Sequence, residues 1–226
     1  MIGGVCFSHF FLCTFSVSVT LEPMPDDDRT PSGNVLDRLE KAEQLKLESK
    51  YADALAILEQ LVLEDPENVS ALEEIADNEL SMERHDRARA AAKRAVALDP
   101  QSYTGEYILG FLLSRDEQWS EALAHLRKAN KLKPNNPEIL RCLGWALFSS
   151  NQRAQGIVTL ERALNLDREN PLTLCDLGVS YLHIRNFSKA KALLGHALDI
   201  DPTNERVREC VEAVKRLERA AKVEGK

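Results

Sequence analysis

From Val35 onward the hydrophobic positions fall into columns that recur every 34 residues. Ala42, Ala76, Gly110, Gly144 and Gly178 make one column of small residues. Ala54, Ala88, Ala122, Gly156 and Ala190 make a second, and Ala95, Ala129, Ala163 and Ala197 a third. Helices approach closely only where side chains are short, so these columns mark helix crossings. Larger apolar residues fill the rest of the core: Ile75, Leu109, Leu143 and Leu177 in the first helix of each pair, and Leu58, Leu126, Leu160 and Leu194 in the second. Tyr51, Trp119 and Phe187 stand where a tight turn needs a plug, and Asp86, Ser120 and Ser188 follow as candidate caps of the second helix.

Polar punctuation has the same period. Pro66, Pro100, Pro134 and Pro202 are 34, 34 and 68 residues apart. Two positions later come Asn68, Ser102, Asn136, Asn170 (after Arg168 in the proline's place) and Asn204, with Asn34 one period earlier. Each is a good N-cap, and Pro137 and Pro171 then occupy the first helical position, where a missing amide hydrogen costs nothing. The pattern predicts helices near 35–48, 52–64, 69–82, 86–98, 103–116, 120–132, 137–150, 154–166, 171–184, 188–200 and 205–222, to about two residues at each end.

These columns resemble the tetratricopeptide repeat: small residues at the eighth, twentieth and twenty-seventh positions, an aromatic at the turn and a proline near the end. The resemblance covers about 170 of the 226 residues. It implies an all-α fold, an α-solenoid (right-handed superhelix) of five helical hairpins at 35–68, 69–102, 103–136, 137–170 and 171–204. Residues 205–226 then form a capping helix and tail, with Val207, Val211, Val214 and Leu217 on one stripe. The first repeat departs from the pattern at Arg38 and Lys41, as suits an end repeat with a wetter face. The fourth has Arg153 for the aromatic and Arg168 for the proline, and is expected to be the loosest.

Residues 24–34 read as a polar linker. Residues 1–23 carry the uncharged, aromatic-rich run VCFSHFFLCTFSVSV and admit three readings: an over-extended start with translation beginning at Met24, which fits best; a signal or anchor; or genuine structure. The placement expected is cytoplasmic, with export or membrane anchoring through residues 1–23 as the alternative.

Composition narrows the function. The formal charge of −7 argues against a nucleic-acid partner held through phosphates. Acids dominate between Val35 and Glu83, and bases beyond Glu205. The five cysteines form no CxxC, and no His/Cys group has metal-ligand spacing. No glycine-rich phosphate loop or local catalytic constellation occurs among the histidines. The expectation is no enzyme, no cofactor, no metal and no small-molecule substrate.

In the resembled family the first helix of each hairpin lines a concave groove. That implies a peptide groove here made of Glu73, Asp77, Tyr107, Phe111, Arg115, Arg141, Trp145, Phe148, Val179 and Leu182. Tyr107, Phe111, Trp145 and Phe148 would form an aromatic strip flanked by Arg115 and Arg141. Two readings stay open: a grip on a partner's peptide or helix, or inner positions that only touch one another. The clamp by which some family members hold the acidic end of heat-shock chaperones is missing, since Glu43, Asp77 and Phe111 stand where its first asparagine belongs. The protein is thus expected to be a protein–protein interaction scaffold or adaptor. A structural subunit of an envelope or secretion complex, delivered by residues 1–23, is the alternative.

Overall fold

The computed structural model describes residues 35–224, except the side chains of Arg206 and of residues 221–224. The leader, the linker and the expected cap at Asn34 lie outside the described residues. Within them the chain forms eleven helices and no strand. These are α1 (Val35–Leu47), α2 (Tyr51–Glu64), α3 (Val69–Ser81), α4 (His85–Leu98), α5 (Tyr103–Arg115), α6 (Trp119–Leu132), α7 (Pro137–Ser149), α8 (Arg153–Leu166), α9 (Pro171–His183), α10 (Phe187–Ile200) and α11 (Glu205–Glu224). Each end falls within two residues of the expected one. The chain divides after Arg115 into two compact units, α1–α5 and α6–α11.

In the first unit α1 pairs with α2 and α3 with α4, and α5 packs on α4 and α3. Ala42, Ala54, Leu58, Leu61 and Ala71 form one core; Ala76, Leu80, Ala88, Ala92, Ile108 and Leu112 form the next. In the second unit α6 packs on α7, α7 pairs with α8 and α9 with α10, and α11 lies against α10 and α9. Its core gathers Leu160, Leu174, Leu177, Tyr181, Leu194, Val207 and Val214. Leu58, Leu126, Leu160 and Leu194 are fully buried, and burial of one such side chain contributes about 1.5–3 kcal/mol.

The small columns sit at the crossings. Ala42, Ala76, Ala54, Ala88, Ala122, Ala190 and the whole third column are 0% exposed. Between α7 and α8 the crossing is backbone on backbone: a Cβ on Gly156 would lie 2.6 Å from Phe148 N and 2.7 Å from Gly144 O. The expected looseness of the fourth repeat does not hold at this crossing, because the two glycines let the helices touch. Leu217 is a second correction. It is 40% exposed, while Val207 and Val214 are buried.

The first-helix caps form as expected. Asn68 accepts from Ala71 N–H, Ser102 from Gly105, Asn136 from Glu138 and Ile139, Asn170 from Thr173, and Asn204 from Val207, at 3.0–3.2 Å. The prolines have a partner that sequence reading missed. Asp65, Asp99 and Asp201 accept through Oδ1 from the amide two residues on, closing the turns that Pro66, Pro100 and Pro202 open.

The second helices start one residue early. Ser49, Glu83, Glu117, Asn151 and Arg185, all 34 residues apart, take left-handed φ between 58° and 70°. At Ser49 the turn donates Ser49 N–H to Lys46 O and Lys50 N–H to Leu45 O, and the same pair recurs at Glu83, Asn151 and Arg185. This pair of hydrogen bonds ends the first helix and leaves one residue before the next begins. Asp86, Ser120 and Ser188 therefore lie inside the first turn and do not cap it. Only Asn186, among the residues that precede these helices, accepts a capping bond, from Lys189 N–H at 3.2 Å.

Candidate functional site: the first-helix faces

In the first unit the expected groove positions fall on α3 and α5. Glu73 is half-buried and accepts from Ser102 Oγ at 2.5 Å; burial, with Asp99 and Glu74 nearby, raises its carboxyl above the usual range. Asp77 is not a free rim charge. Lys46, reaching over from α1, donates to Asp77 at 3.0 Å and to Glu74 at 2.8 Å. Burial works against the Lys46 ammonium, but the two carboxylates overcome it and hold the charge above its ordinary range. Nothing in the local pattern singled out Lys46, because its partners lie 28 and 31 residues away. On α5, Tyr107 and Phe111 are half-buried, with ring centroids 6.4 Å apart and planes tilted by 39°, against the core of Ala76, Leu80 and Ile108. Arg115 is exposed at the end of that helix.

In the second unit α7 and α9 carry the remaining positions. Trp145 is half-buried, and its ring centroid is 6.1 Å from that of Phe148. Phe148 is only 6% exposed, so it supports Trp145 from below and is not part of an open strip. Its ring meets His183 edge-on at 5.8 Å. Burial, with Arg153 close by, depresses His183 below its ordinary value. Val179 and Leu182 are half-buried on α9.

Arg141 is the largest correction. It is 5% exposed, a buried cation and not a flanking one. Nη1 donates to Asp176 at 2.8 Å, Nε donates to both oxygens of Glu138 at 3.2 and 3.0 Å, and Nη2 donates to Glu138 as well. Of the expected strip, Tyr107 and Phe111 lie on α5 in the first unit, and Trp145 and Phe148 on α7 in the second.

No group of three or more histidine, cysteine or acidic residues among the described ones could hold a metal ion. Cys142 and Cys175 are buried, Cys210 is partly so, and none of the three is in a disulfide. Burial, then the neighbouring Asp176, pushes the Cys175 thiol up to about 12, which removes its nucleophilic form at neutral pH. No described helix is long and apolar enough to cross a membrane.

Family models described as tetratricopeptide repeat match residues 48–103 and 74–137, 113–173 and 173–204. Among curated proteins none matches. Many solved structures do. TTC0263, a thermophilic TPR protein of Thermus thermophilus, is 22% identical over 79% of this chain and 97% of its own, with a TM-score of 0.63. YrrB, described as a TPR protein with an unusual peptide-binding site, is 21% identical over 79% and 92%, with a TM-score of 0.57. The APC/C hetero-tetramer Cut9–Hcn1 gives a TM-score of 0.73 at 19% identity, over 81% of this chain and 36% of the matched one. At these identities the likeness shows the fold.

Proposed function

Since the chain belongs to the tetratricopeptide repeat family, we propose that it is a non-enzymatic scaffold that holds a peptide segment of a partner protein against its first-helix faces, in the cytoplasm. Protein–protein interaction is the general role of such repeats. The carrying observation is that Tyr107, Phe111 and Trp145 stay half-exposed on first helices, while the other large aromatic of these faces, Phe148, is buried beneath Trp145. Half-exposed aromatics backed by a packed core are good anchors for a partner's apolar side chains, because they are rigid and gain area on binding. Val179 and Leu182 extend the apolar surface in the second unit; Glu73, Asp77 and Arg115 edge that of the first. The net charge of −7 speaks against nucleic acid as the partner.

The test is capture of partners from the native lysate by the full chain, compared with Tyr107→Ala, Trp145→Ala and the double variant. Truncating an anchor of this kind costs about 2 kcal/mol, or roughly thirtyfold in affinity. The expected result is loss of capture in the double variant with unchanged helicity by circular dichroism. If the double variant brings down the same partners in the same yield, the first-helix faces are not the working surface.

A further inference from the structure

In the first unit the ninth residue of each repeat makes one column on the first helices: Glu43 on α1, Asp77 on α3 and Phe111 on α5. Helix α1 packs on α3, and α3 on α5, so the column crosses three neighbouring helices of one unit. Lys46 reaches into it from α1 and serves two carboxylates, Asp77 at 3.0 Å and Glu74 at 2.8 Å. A tie between α1 and α3 needs only one of them. The lysine side chain is 19% exposed, while those of Glu74 and Asp77 are 31% and 35% exposed. The excess negative charge therefore lies on the solvent side of the tie. Glu43, itself exposed, adds to it.

The other described bases of α1 and its turn do not cancel this charge. Arg38 is paired with Glu64, and Lys50 with Glu48. Lys41 precedes Glu43 by two residues, which places it about 200° away round the helix. At the far side of the column Phe111 is half-buried and backed by the core of Ala76, Leu80 and Ile108. Arg115 is exposed four residues later, on the same face of α5. From α1 to α5 the face thus runs from negative to aromatic, with its exposed cation at the aromatic end.

We propose that this face takes a basic peptide, with one lysine or arginine side chain at Asp77, a second toward Glu43, and an apolar side chain on Phe111. The ring, held against the core, supplies rigid apolar area, and the carboxylates select the sign of what lies beside it. Packed helices stand about 10 Å apart, and an extended chain covers that distance in about three residues. The basic residues therefore stand about three and six positions from the apolar anchor. This assignment rests on the peptide-holding reading above and adds the chemistry of what is held. An acidic peptide drawn by Arg115 is the competing occupant.

The experiment uses the full chain as bait for a phage-displayed library of random dodecapeptides, with binding of selected peptides then measured by fluorescence anisotropy. Glu43→Gln removes one charge and Glu43→Lys reverses it, both at an exposed position. Phe111→Ala removes the anchor, with helicity checked by circular dichroism; if it fails to fold, the two Glu43 variants still decide the charge. The expected outcome is enrichment of Lys or Arg about three and six positions from an apolar residue. Selected peptides should lose about threefold in affinity against Glu43→Gln and about tenfold against Glu43→Lys, with a weaker salt dependence. Against Phe111→Ala they should lose roughly thirtyfold. Acidic or uncharged peptides that Phe111→Ala abolishes, or basic ones indifferent to Glu43→Lys, would overturn the charge assignment and leave the peptide face standing. Peptides that bind Phe111→Ala as well as the wild type, or a library from which nothing is enriched, would overturn both.

Discussion

Gly156 and Gly195 make a matched pair on which the packing account can fail. Both lie inside helices of the second unit, α8 and α10. Replacing an interior helical glycine by alanine is favourable by about 1 kcal/mol where there is room, since the unfolded chain loses freedom. At Gly195 a Cβ would meet nothing within 4 Å, so Gly195→Ala should stabilise by about 0.5–1 kcal/mol. At Gly156 the new Cβ would fall 2.6 Å from Phe148 N, 2.7 Å from Gly144 O and 2.8 Å from Phe148 Cα. Ordinary contact begins at 3.4 Å, so α7 and α8 must part by roughly 0.8 Å in a close-packed interior. All three atoms are backbone, so no rotamer change relieves the clash. Overpacking of this kind costs about 1–3 kcal/mol, and more where backbones meet. The propensity gain offsets only part of it.

Far-UV circular dichroism during thermal and urea denaturation measures both variants. For a chain of this size 1 kcal/mol moves Tm by about 2–4 °C. Gly195→Ala should rise by a few degrees and Gly156→Ala should fall by several. Shifts of the same sign would refute the reasoning, because they would mean that helix propensity, and not the α7–α8 contact, decides both sites.

Two further outcomes follow from the caps and the buried charges. Ser102→Ala should cost about 1 kcal/mol in urea denaturation, since Ser102 Oγ accepts from Gly105 N–H and donates to Glu73; Ser120→Ala, inside the first turn of α6, should stay within about 0.5 kcal/mol, and an equal loss would restore Ser120 as a cap. Asp176 has its carboxyl raised from 3.8 to about 6, so the folded chain binds that proton more tightly than the unfolded one. Its contribution is full below pH 3.8 and is lost as pH rises through about 6. The stability of wild type relative to Asp176→Asn should therefore fall across that window, by on the order of 3 kcal/mol, and a flat or rising difference would contradict it.

The fold was legible because its signals are local and repeat. Small residues recurring at one frame mark crossings, and Asn or Ser ahead of each first helix has few other uses than capping. The early start of the second helices was not legible. It depends on left-handed backbone at Ser49, Glu83, Glu117, Asn151 and Arg185, and none of these is the glycine that would have announced it. The candidate faces were legible as positions but not as environments. Tyr107 and Arg141 share a column, as do Leu182 and Phe148, yet one member of each pair is half-exposed and the other buried. Asp176, 35 residues on, draws Arg141 inward, and no periodicity in one dimension reports such a contact.

Two buried charges depart from the apolar pattern of the repeat, and the two are held differently. Glu79 stands in a column otherwise filled by Leu45, Leu113, Leu147 and Tyr181, and it is 0% exposed. Arg87 Nε lies 3.0 Å and Arg84 Nη1 3.6 Å from its carboxylate. Burying such a pair gives little net stability over an apolar residue of similar volume, because desolvation consumes the attraction. Both Glu79 and Arg141 therefore call for a reason other than stability, and their surroundings differ. The Glu79 carboxylate is fully enclosed, its cations come from the turn and second helix of its own hairpin, and it offers a ligand no accessible atom. Arg141 joins two neighbouring hairpins and leaves a second carboxylate, Glu138, partly in solvent beside a half-exposed tryptophan. The buried acid of α3 thus ties the turn and second helix of its own hairpin, and Arg141 ties α7 to α9.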